Sequence, residues 1–224
     1  SYFVELDFED SPHIFGQTSG PRGELVTNAL YNDSSGGQLI TKFTPALDSV
    51  VWSTRFGSGS GTPDISPTAF LVDVCSAIYL SGWGNTTGLD TAGGPFQSTT
   101  DGQDFYIMVM GADANSLDYA TYIGGAGTGG DHVDGGTSRF DRKGKIYQAV
   151  CAGCGNFSDF PTVPNPGAWS NTNNSTFFQG CNLAVFKMDF LLPIVVADFD
   201  APSTACAPFT VDFNNLSVQQ SQTI

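Results

Sequence analysis

The stretch that decides the fold is DFYIMVMGADANSLDYATYIGGAGTGG, residues 104–130, because it is a second copy of QLITKFTPALDSVVWSTRFGSGSG, residues 38–61. The alignment places Trp52 over Tyr119 and Phe56 over Ile123, a shift of 67 residues. A third copy of the first half is NLAVFKMDF, residues 182–190. Tandem copies at a fixed period are typical of repeat architectures, in which each unit needs its neighbours to bury its apolar faces.

Each full unit contains four predicted strands, which are separated by clusters of Gly, Pro, Asn and Asp. The strands are 2–8, 13–18, 38–43 and 50–56 in the first unit, and 69–74, 78–82, 105–110 and 117–123 in the second. The second-strand segments HIFGQTSG (13–20), IYLSGWG (78–84) and IYQAVCAG (146–153) align with Ile14, Ile78 and Ile146 at equivalent positions. Runs such as FYIMVM carry apolar residues on both faces, so both faces must be covered. The sequence therefore predicts an all-β fold of about three four-stranded antiparallel repeats, the form of β-propeller blades.

The amino-acid composition agrees with this interpretation and argues against two classes of function, nucleic-acid binding and membrane insertion. The chain has 224 residues with 27 Gly, 12 Pro and 18 Phe, which favours short strands joined by turns over long helices. Its formal net charge of −14 predicts no binding to nucleic acid or to an anionic membrane surface. No stretch of 18 apolar residues is present, so no membrane insertion is expected. Acidic chains that are poor in Lys are typical of extracellular proteins.

Three motifs resemble a known family. STRFGSGSG and ATYIGGAGTGG resemble one strand of the bacterial seven-bladed β-propeller repeat found in very large surface proteins of Bacteroidota, and DFPTVPNPGAWS (159–170) resembles a loop of that repeat. The resemblance covers residues 2–190. It implies a non-enzymatic cell-surface scaffold or adhesin that is exported by type 9 secretion. The partners it implies are other surface proteins or glycans, in a multi-subunit assembly or filament.

The repeat register breaks after Asp189, and a second type of module begins. IVVADFDAPSTACAPFTVDFNNLS, residues 194–217, resembles the first two strands of a PKD-type immunoglobulin-like sandwich. The expected domains are therefore propeller blades over 1–192 (approximately 1–61, 62–130 and 131–192) and an incomplete module over 193–224. Since propellers close with four to eight blades, we expect the segment to belong to a longer chain.

Five cysteines raise a choice between three chemistries. Cys151 and Cys154, in CAGCGN, lack the helix N-terminus that a thioredoxin-like pair uses to lower a thiol pKa. A zinc site would need a fourth ligand beside these two and Cys181, and no second closely spaced pair exists. A disulfide is favoured, with Cys181 as the partner of Cys154 or of Cys151, and closing such a loop stabilises by about 3 kcal/mol. Cys75 is expected to take the remaining neighbour or to stay a thiol, and Cys206 to pair within its own module.

The loops GTPDISPTAF (61–70) and GGDHVDGGTSRF (129–140) both lead into first strands, which lie near a propeller axis. Their acidic residues are candidate Ca²⁺ ligands, because this cation binds six to eight oxygens. These residues are Asp64, Asp131 and Asp134. Asp73 and Asp141 stand five residues before the second strand, where an Asp side chain accepts hydrogen bonds from turn amides.

Aromatic residues in loops are the remaining candidates for binding. Trp83 and Trp169 lie at a strand end and in a long loop, where an indole ring can stack on a sugar or fill the space between blades. The insertions 85–102 and 156–180 both join second to third strands and emerge on one face, which predicts a carbohydrate-binding or carbohydrate-active propeller as the alternative function. Ser49 and Thr91 resemble glycosylation sites of Bacteroidota. The two histidines, His13 and His132, lie in no recognisable catalytic motif, so no enzyme is predicted.

Overall fold

The computed structural model describes residues 1–21, 23–126, 130–133, 138–142, 144–162, 167–178, 180–190, 195–196, 199–202, 210–216 and 218–219. The chain divides into two compact units, Ser1–Met188 and Asp189–Ile224. The described residues form an all-β fold whose one helical element is a single turn of 3₁₀ helix, and the first unit contains two of the predicted four-stranded antiparallel sheets.

The first sheet has four antiparallel strands in sequence order: β1 (Phe3–Leu6), β2 (Pro12–Gln17), β3 (Gln38–Phe43) and β4 (Val50–Phe56). The second sheet repeats this order with β5 (Ile65–Val72), β6 (Ile78–Gly84), β7 (Phe105–Met110) and β8 (Leu117–Ile123). The third and fourth strands of both sheets begin and end at the predicted residues. Their alternation of apolar side chains with turn residues therefore sufficed to locate them.

Strand register confirms the predicted shift of 67 residues between the first two sheets. Gln38 pairs with Phe56 as Phe105 pairs with Ile123, and Lys42 pairs with Trp52 as Val109 pairs with Tyr119. Even the irregularity is repeated, since the register shifts after Lys42 in one sheet and after Val109 in the other. A bulge at the same place in two copies is a designed feature of the repeat, because it re-aims the strand that follows.

The predicted equivalence of Ile14 with Ile78 is wrong by two residues. Ile78 and Ile146 pair with the last residues of their first strands, Val72 and Phe140, but the residue that pairs with Leu6 is Pro12. The error came from matching Ile with Ile. The structural constraint is instead the turn that precedes the strand, and the residue at its exit is Pro12 in the first sheet and Ile in the other two.

The three equivalent turns each depend on one buried or half-buried aspartate. The Asp73 carboxylate accepts the amides of Cys75 and Ala77 at 2.8 and 2.9 Å, and Asp141 accepts the amide of Lys145 at 3.0 Å. Asp7 makes the same turn in the first sheet through the amide of Ser11. The structural role predicted for Asp73 and Asp141 is confirmed by these hydrogen bonds, which replace the ladder hydrogen bonds that the turn interrupts.

The third sheet contains three strands within the described residues, in the spatial order β11 (Asn182–Met188), β10 (Ile146–Ala152) and β9 (Ser138–Phe140). Met188 pairs with Ile146 as Met110 pairs with Ile78, so β11 corresponds to β7. The first strands β1, β5 and β9 lie next to one another, with β5 in the middle. The sheets therefore stack in chain order.

The second sheet is buried on both faces, as its continuous apolar runs predict. All six residues of β7 are buried. Tyr106, Met108 and Met110 join one hydrophobic cluster with residues of the first sheet, whereas Phe105 contacts Phe186 of the third sheet. Burying a side chain of this size stabilises by about 2–3 kcal/mol, so sheet stacking is the main stabilising interaction of this unit.

A buried cation joins the first two sheets. Lys42 on β3 lies 2.9 Å from the Asp7 carboxylate of its own sheet and 3.0 Å from the Asp113 carboxylate of the second. Asp113 belongs to a single turn of 3₁₀ helix, Ala112–Ala114, and it also accepts a hydrogen bond from the Trp52 indole at 3.0 Å. Because this lysine satisfies two carboxylates that belong to different repeats, it fixes the rotation of one sheet on the other.

The second unit contains short paired strands. β12 (Val195–Val196) pairs with β15 (Val218–Gln219), and β13 (Phe199–Asp200) pairs with β14 (Asn214–Asn215), both antiparallel. The Phe199 and Phe213 rings meet edge to face at 5.3 Å. Residues 194–217, expected to form the first two strands of the module, thus contribute to two short sheets. The immunoglobulin-like identity of the module stays a prediction.

Candidate functional site

The outer face of the third sheet exposes positions that the repeat buries elsewhere. Leu183 and Val185 on β11 are 74% and 71% exposed, whereas their counterparts Phe105 and Ile107 on β7 are 0% exposed beneath the third sheet. Within the described residues β11 also lacks a fourth strand on its outer side, where β4 and β8 stand in the other sheets. This face is therefore largely apolar, with Lys187 over the Tyr147 ring, and no described strand pairs with the outer edge of β11.

The opposite end of the stack exposes a second apolar face. Val4 and Leu6 on β1 are exposed, and Ile14 and Leu39 beside them are half-buried. Their counterparts on β5, Phe70 and Val72, pack into the core against the first sheet. The two end faces thus carry the side chains that interior sheets use to stack on each other. We call them the first-sheet face (Val4, Leu6, Ile14, Leu39) and the third-sheet face (Tyr147, Leu183, Val185).

A groove of about 480 Å³ lies between the loop after β10 and strand β11. Trp169, predicted as a binding residue, is fully exposed at this groove. Polar side chains also line it, including Ser158, Asn171 and Asn182. An exposed indole beside amides and hydroxyls has the composition of a site that stacks on and hydrogen-bonds to a polar ring.

Trp83, the other predicted binding residue, has different surroundings. It is half-buried at the end of β6, and its ring centroid lies 5.5 Å from that of His132. The indole therefore contributes to packing between the second and third repeats. The structure does not bring Trp83 and Trp169 into one site, since Trp169 lies in the groove beside β11 and Trp83 is not among its lining residues.

The cysteine motif separates into two environments. Cys154 is bonded to Cys181, which is one of the two pairings that the sequence left open. Cys151, three residues earlier, is a thiol at the end of β10, opposite Leu183 of the third-sheet face. Cys75 is an exposed thiol in the Asp73 turn. Cys206 lies outside the described residues.

Asp64 and Asp131, the predicted Ca²⁺ ligands, occupy equivalent turns of successive repeats. Asp64 accepts the amide and the hydroxyl of Ser58, at 2.9 and 2.6 Å. Asp131 accepts the amides of Gly125 and Gly153, both at 2.9 Å. Each carboxylate therefore closes its own turn, and the third candidate, Asp134, lies outside the described residues. Ca²⁺ binding stays a prediction.

The predicted glycosylation sites differ in accessibility. Ser49 is exposed in the turn between β3 and β4, where its carbonyl accepts the Thr44 amide at 3.0 Å. Thr91 is half-buried, next to Ala92, whose backbone pairs with Ala120 of β8. Of the two, Ser49 has the exposure that a modifying enzyme needs.

The structure assembles one cluster that the sequence did not predict. A ring nitrogen of His132 and the Sγ atoms of Cys154 and Cys181 lie within 4.8 Å of one another, and this is the one such group of His, Cys, Asp or Glu among the described residues. The repeat alignment contained the signal: His132 follows the turn residue Asp131 as Ile65 follows Asp64, and Ile65 pairs with the end of the second strand. His132 accordingly pairs with Cys151.

A buried carboxyl group, that of Asp104, interacts electrostatically with Asp131, the residue before His132. Burial raises the pKa of Asp104 to about 6, and the charges of Asp101 and Asp131 act in the same direction. One carboxylate oxygen of Asp104 is buried without a hydrogen-bond partner. Asp104 and its neighbours therefore concentrate negative charge on this side of the second and third sheets.

No protein family matches the chain, and no curated protein matches it significantly. The resemblance to propeller and PKD-type repeats therefore stays a prediction from the motifs quoted above. Among the described residues, no helix has the length and apolar character needed to cross a membrane.

Proposed function

We propose that this chain is a non-enzymatic scaffold segment of an extracellular surface protein, in which four-stranded propeller-type repeats stack face to face. The observation that carries the proposal is the pair of open apolar faces at the two ends of the stack. The all-β repeat, the disulfide and the net charge of −14 also support an extracellular scaffold, because disulfides persist in oxidising surroundings and acidic surfaces stay solvated.

The third-sheet face binds a further four-stranded repeat. When the chain is the only protein present, the first-sheet face of a second copy supplies this repeat. The third-sheet face of one copy then meets the first-sheet face of the next, a heterologous contact that builds rings or filaments. This arrangement repeats the packing of Phe105 and Ile107 beneath the third sheet.

Light scattering over a concentration series tests this function. We expect the protein to associate as its concentration rises, and the double variant Leu183→Lys/Val185→Lys to remain monomeric, because two ammonium groups cannot be buried in an apolar contact. Leu30→Lys is the matched control, since Leu30 is equally exposed on a loop of the first repeat. A wild-type protein that stays monomeric at all concentrations, or a double variant that associates like wild type, would contradict stacking through this face.

The groove around Trp169 supports a second function, binding of glycans. We expect the protein to bind a soluble oligosaccharide, or a glycan immobilised on an array, by stacking of the sugar ring on the indole. Trp169→Ala should weaken this binding at least about tenfold. Phe178→Ala is the control, because Phe178 is similarly exposed and does not line the groove. Equal binding by the two variants, or no binding by wild type, would exclude this groove as a glycan site.

A further inference from the structure

The Cys154–Cys181 disulfide lies beside His132. A disulfide that only stabilises the fold has no need of a neighbouring histidine. His132 Nδ1 is 3.7 Å from Cys154 Sγ. In a tetrahedral site with metal–sulfur bonds of about 2.3 Å and metal–nitrogen bonds of about 2.1 Å, a sulfur and a nitrogen ligand are separated by about 3.6 Å. The imidazole therefore already stands at the distance from Cys154 that two ligands of one zinc ion would have.

Hydrogen bonds that do not involve the disulfide hold both cysteines in place. The Asn173 side-chain amide donates to the carbonyl oxygens of Gly153 and Gly180, at 2.8 and 3.1 Å. These two glycines directly precede Cys154 and Cys181. The Asn156 amide also donates to the Gly180 carbonyl at 3.1 Å. The two sulfurs therefore remain neighbours after the covalent bond between them is broken.

The histidine is positioned by the same local structure. His132 exchanges two backbone hydrogen bonds with Cys151, at 2.9 and 3.0 Å, and its ring packs on Trp83. Asp131 accepts the Gly153 amide, so the residues before His132 and before Cys154 are joined directly. Asp101, Asp131 and Asp159 lie around Cys154, and their charge attracts a cation.

We propose that the reduced form of this disulfide is a metal site, in which the Cys154 and Cys181 thiolates and the His132 imidazole bind a thiophilic divalent cation such as Zn²⁺. Two thiolates and one imidazole are a ligand set that zinc prefers, and water completes the tetrahedron. Cys151 is not a ligand, because it does not belong to the group of side chains whose ligand atoms lie within 4.8 Å of one another. The site is independent of the proposed scaffold function.

Formation of the site couples a redox step to metal binding. Two molecules of a small external thiol supply two electrons to the Cys154–Cys181 bond and are themselves oxidised to one disulfide. Each protein sulfur leaves as a thiol, and the metal then replaces the two thiol protons. Oxidation reverses the sequence and releases the ion, so the oxidised protein has no thiolate ligands at this site.

Cobalt titration tests the proposal, with Co²⁺ as a spectroscopic substitute for Zn²⁺. The full chain with Cys75, Cys151 and Cys206 replaced by Ser is reduced with a dithiol, which is removed under anaerobic conditions before Co²⁺ is added. We expect one Co²⁺ per chain, with thiolate charge-transfer absorption and the visible bands of tetrahedral cobalt, and displacement by Zn²⁺. His132→Ala should weaken binding by more than about 100-fold, which exceeds the effect of losing a supporting hydrogen bond.

The oxidised protein is the built-in control and should show no cobalt bands. The proposal is overturned if the reduced protein binds no cobalt, if His132→Ala binds as tightly as its parent, or if binding requires Cys151. Should His132→Ala fail to fold, alkylation of the reduced wild-type protein decides. Zn²⁺ should then protect Cys154 and Cys181 while Cys151 and Cys75 react at an unchanged rate, and protection of Cys151 to the same extent would contradict the ligand set.

Discussion

Lys42→Met should lower the free energy of unfolding by about 3–5 kcal/mol at neutral pH, the effect typical of removing one partner of a buried ion pair. The Lys42 and Asp7 side chains are 8% and 1% exposed, so the Asp7 carboxylate cannot recover its lost partner from solvent. Asp113 loses a second contact in the same variant. Denaturant unfolding of both proteins measures the difference.

The difference in unfolding free energy between wild type and Lys42→Met should become smaller at acidic pH. Burial raises the pKa of Asp7, but the Lys42 ammonium and the amides of Ser11 and Glu9 outweigh burial and hold the pKa below its ordinary value. A carboxylate with a lowered pKa stabilises the fold above about pH 3.9 and loses this contribution as the pH falls through the folded-state pKa. Wild type therefore approaches the stability of the variant at low pH.

Lys187→Met is a matched control for this prediction. Lys187 is the counterpart of Lys42 on the third sheet, but it is exposed and contacts the Tyr147 ring, at 5.6 Å from the ring centroid. We expect a loss of less than about 1 kcal/mol, as is usual for an exposed cation over an aromatic ring. If both lysine variants lost the same small amount, the ion pair between sheets would not stabilise the fold.

Replacement of both Cys154 and Cys181 by Ser should lower the free energy of unfolding by about 3 kcal/mol. The bond closes a loop over a sequence separation of 27 residues, and its removal increases the conformational entropy of the unfolded chain. Unfolding of the double variant, compared with wild type under non-reducing conditions, measures the effect.

Cys75→Ser/Cys151→Ser is the control for this second prediction, because both residues are thiols in the folded protein. We expect this pair to change stability by less than about 1 kcal/mol. If the Cys154/Cys181 variant were as stable as this control, the disulfide would contribute nothing and the hydrogen bonds of Asn173 would hold the loop without it.

The amino-acid sequence by itself determined the repeat and its strands. The 67-residue period, the apolar runs and the turn residues can all be identified along the chain without knowledge of its folding. They predicted the ends of β3, β4, β7 and β8 to the residue, and they predicted that both faces of the second sheet are buried. The same local patterns could not separate Ile14 from Pro12, because the offset depends on which residues pair across strands.

Only the tertiary structure decided which distant groups meet. Lys42 reaches Asp113 across 71 positions of sequence. Cys154 meets both Cys181 and His132, while Cys151, three residues away, is not part of this group. Sequence spacing limits how far apart two residues can be, but the stacking of sheets and the course of the loops decide which side chains share a surface. The ion pair between sheets follows from that stacking, and the cluster at His132 follows from the course of the loops around the third sheet.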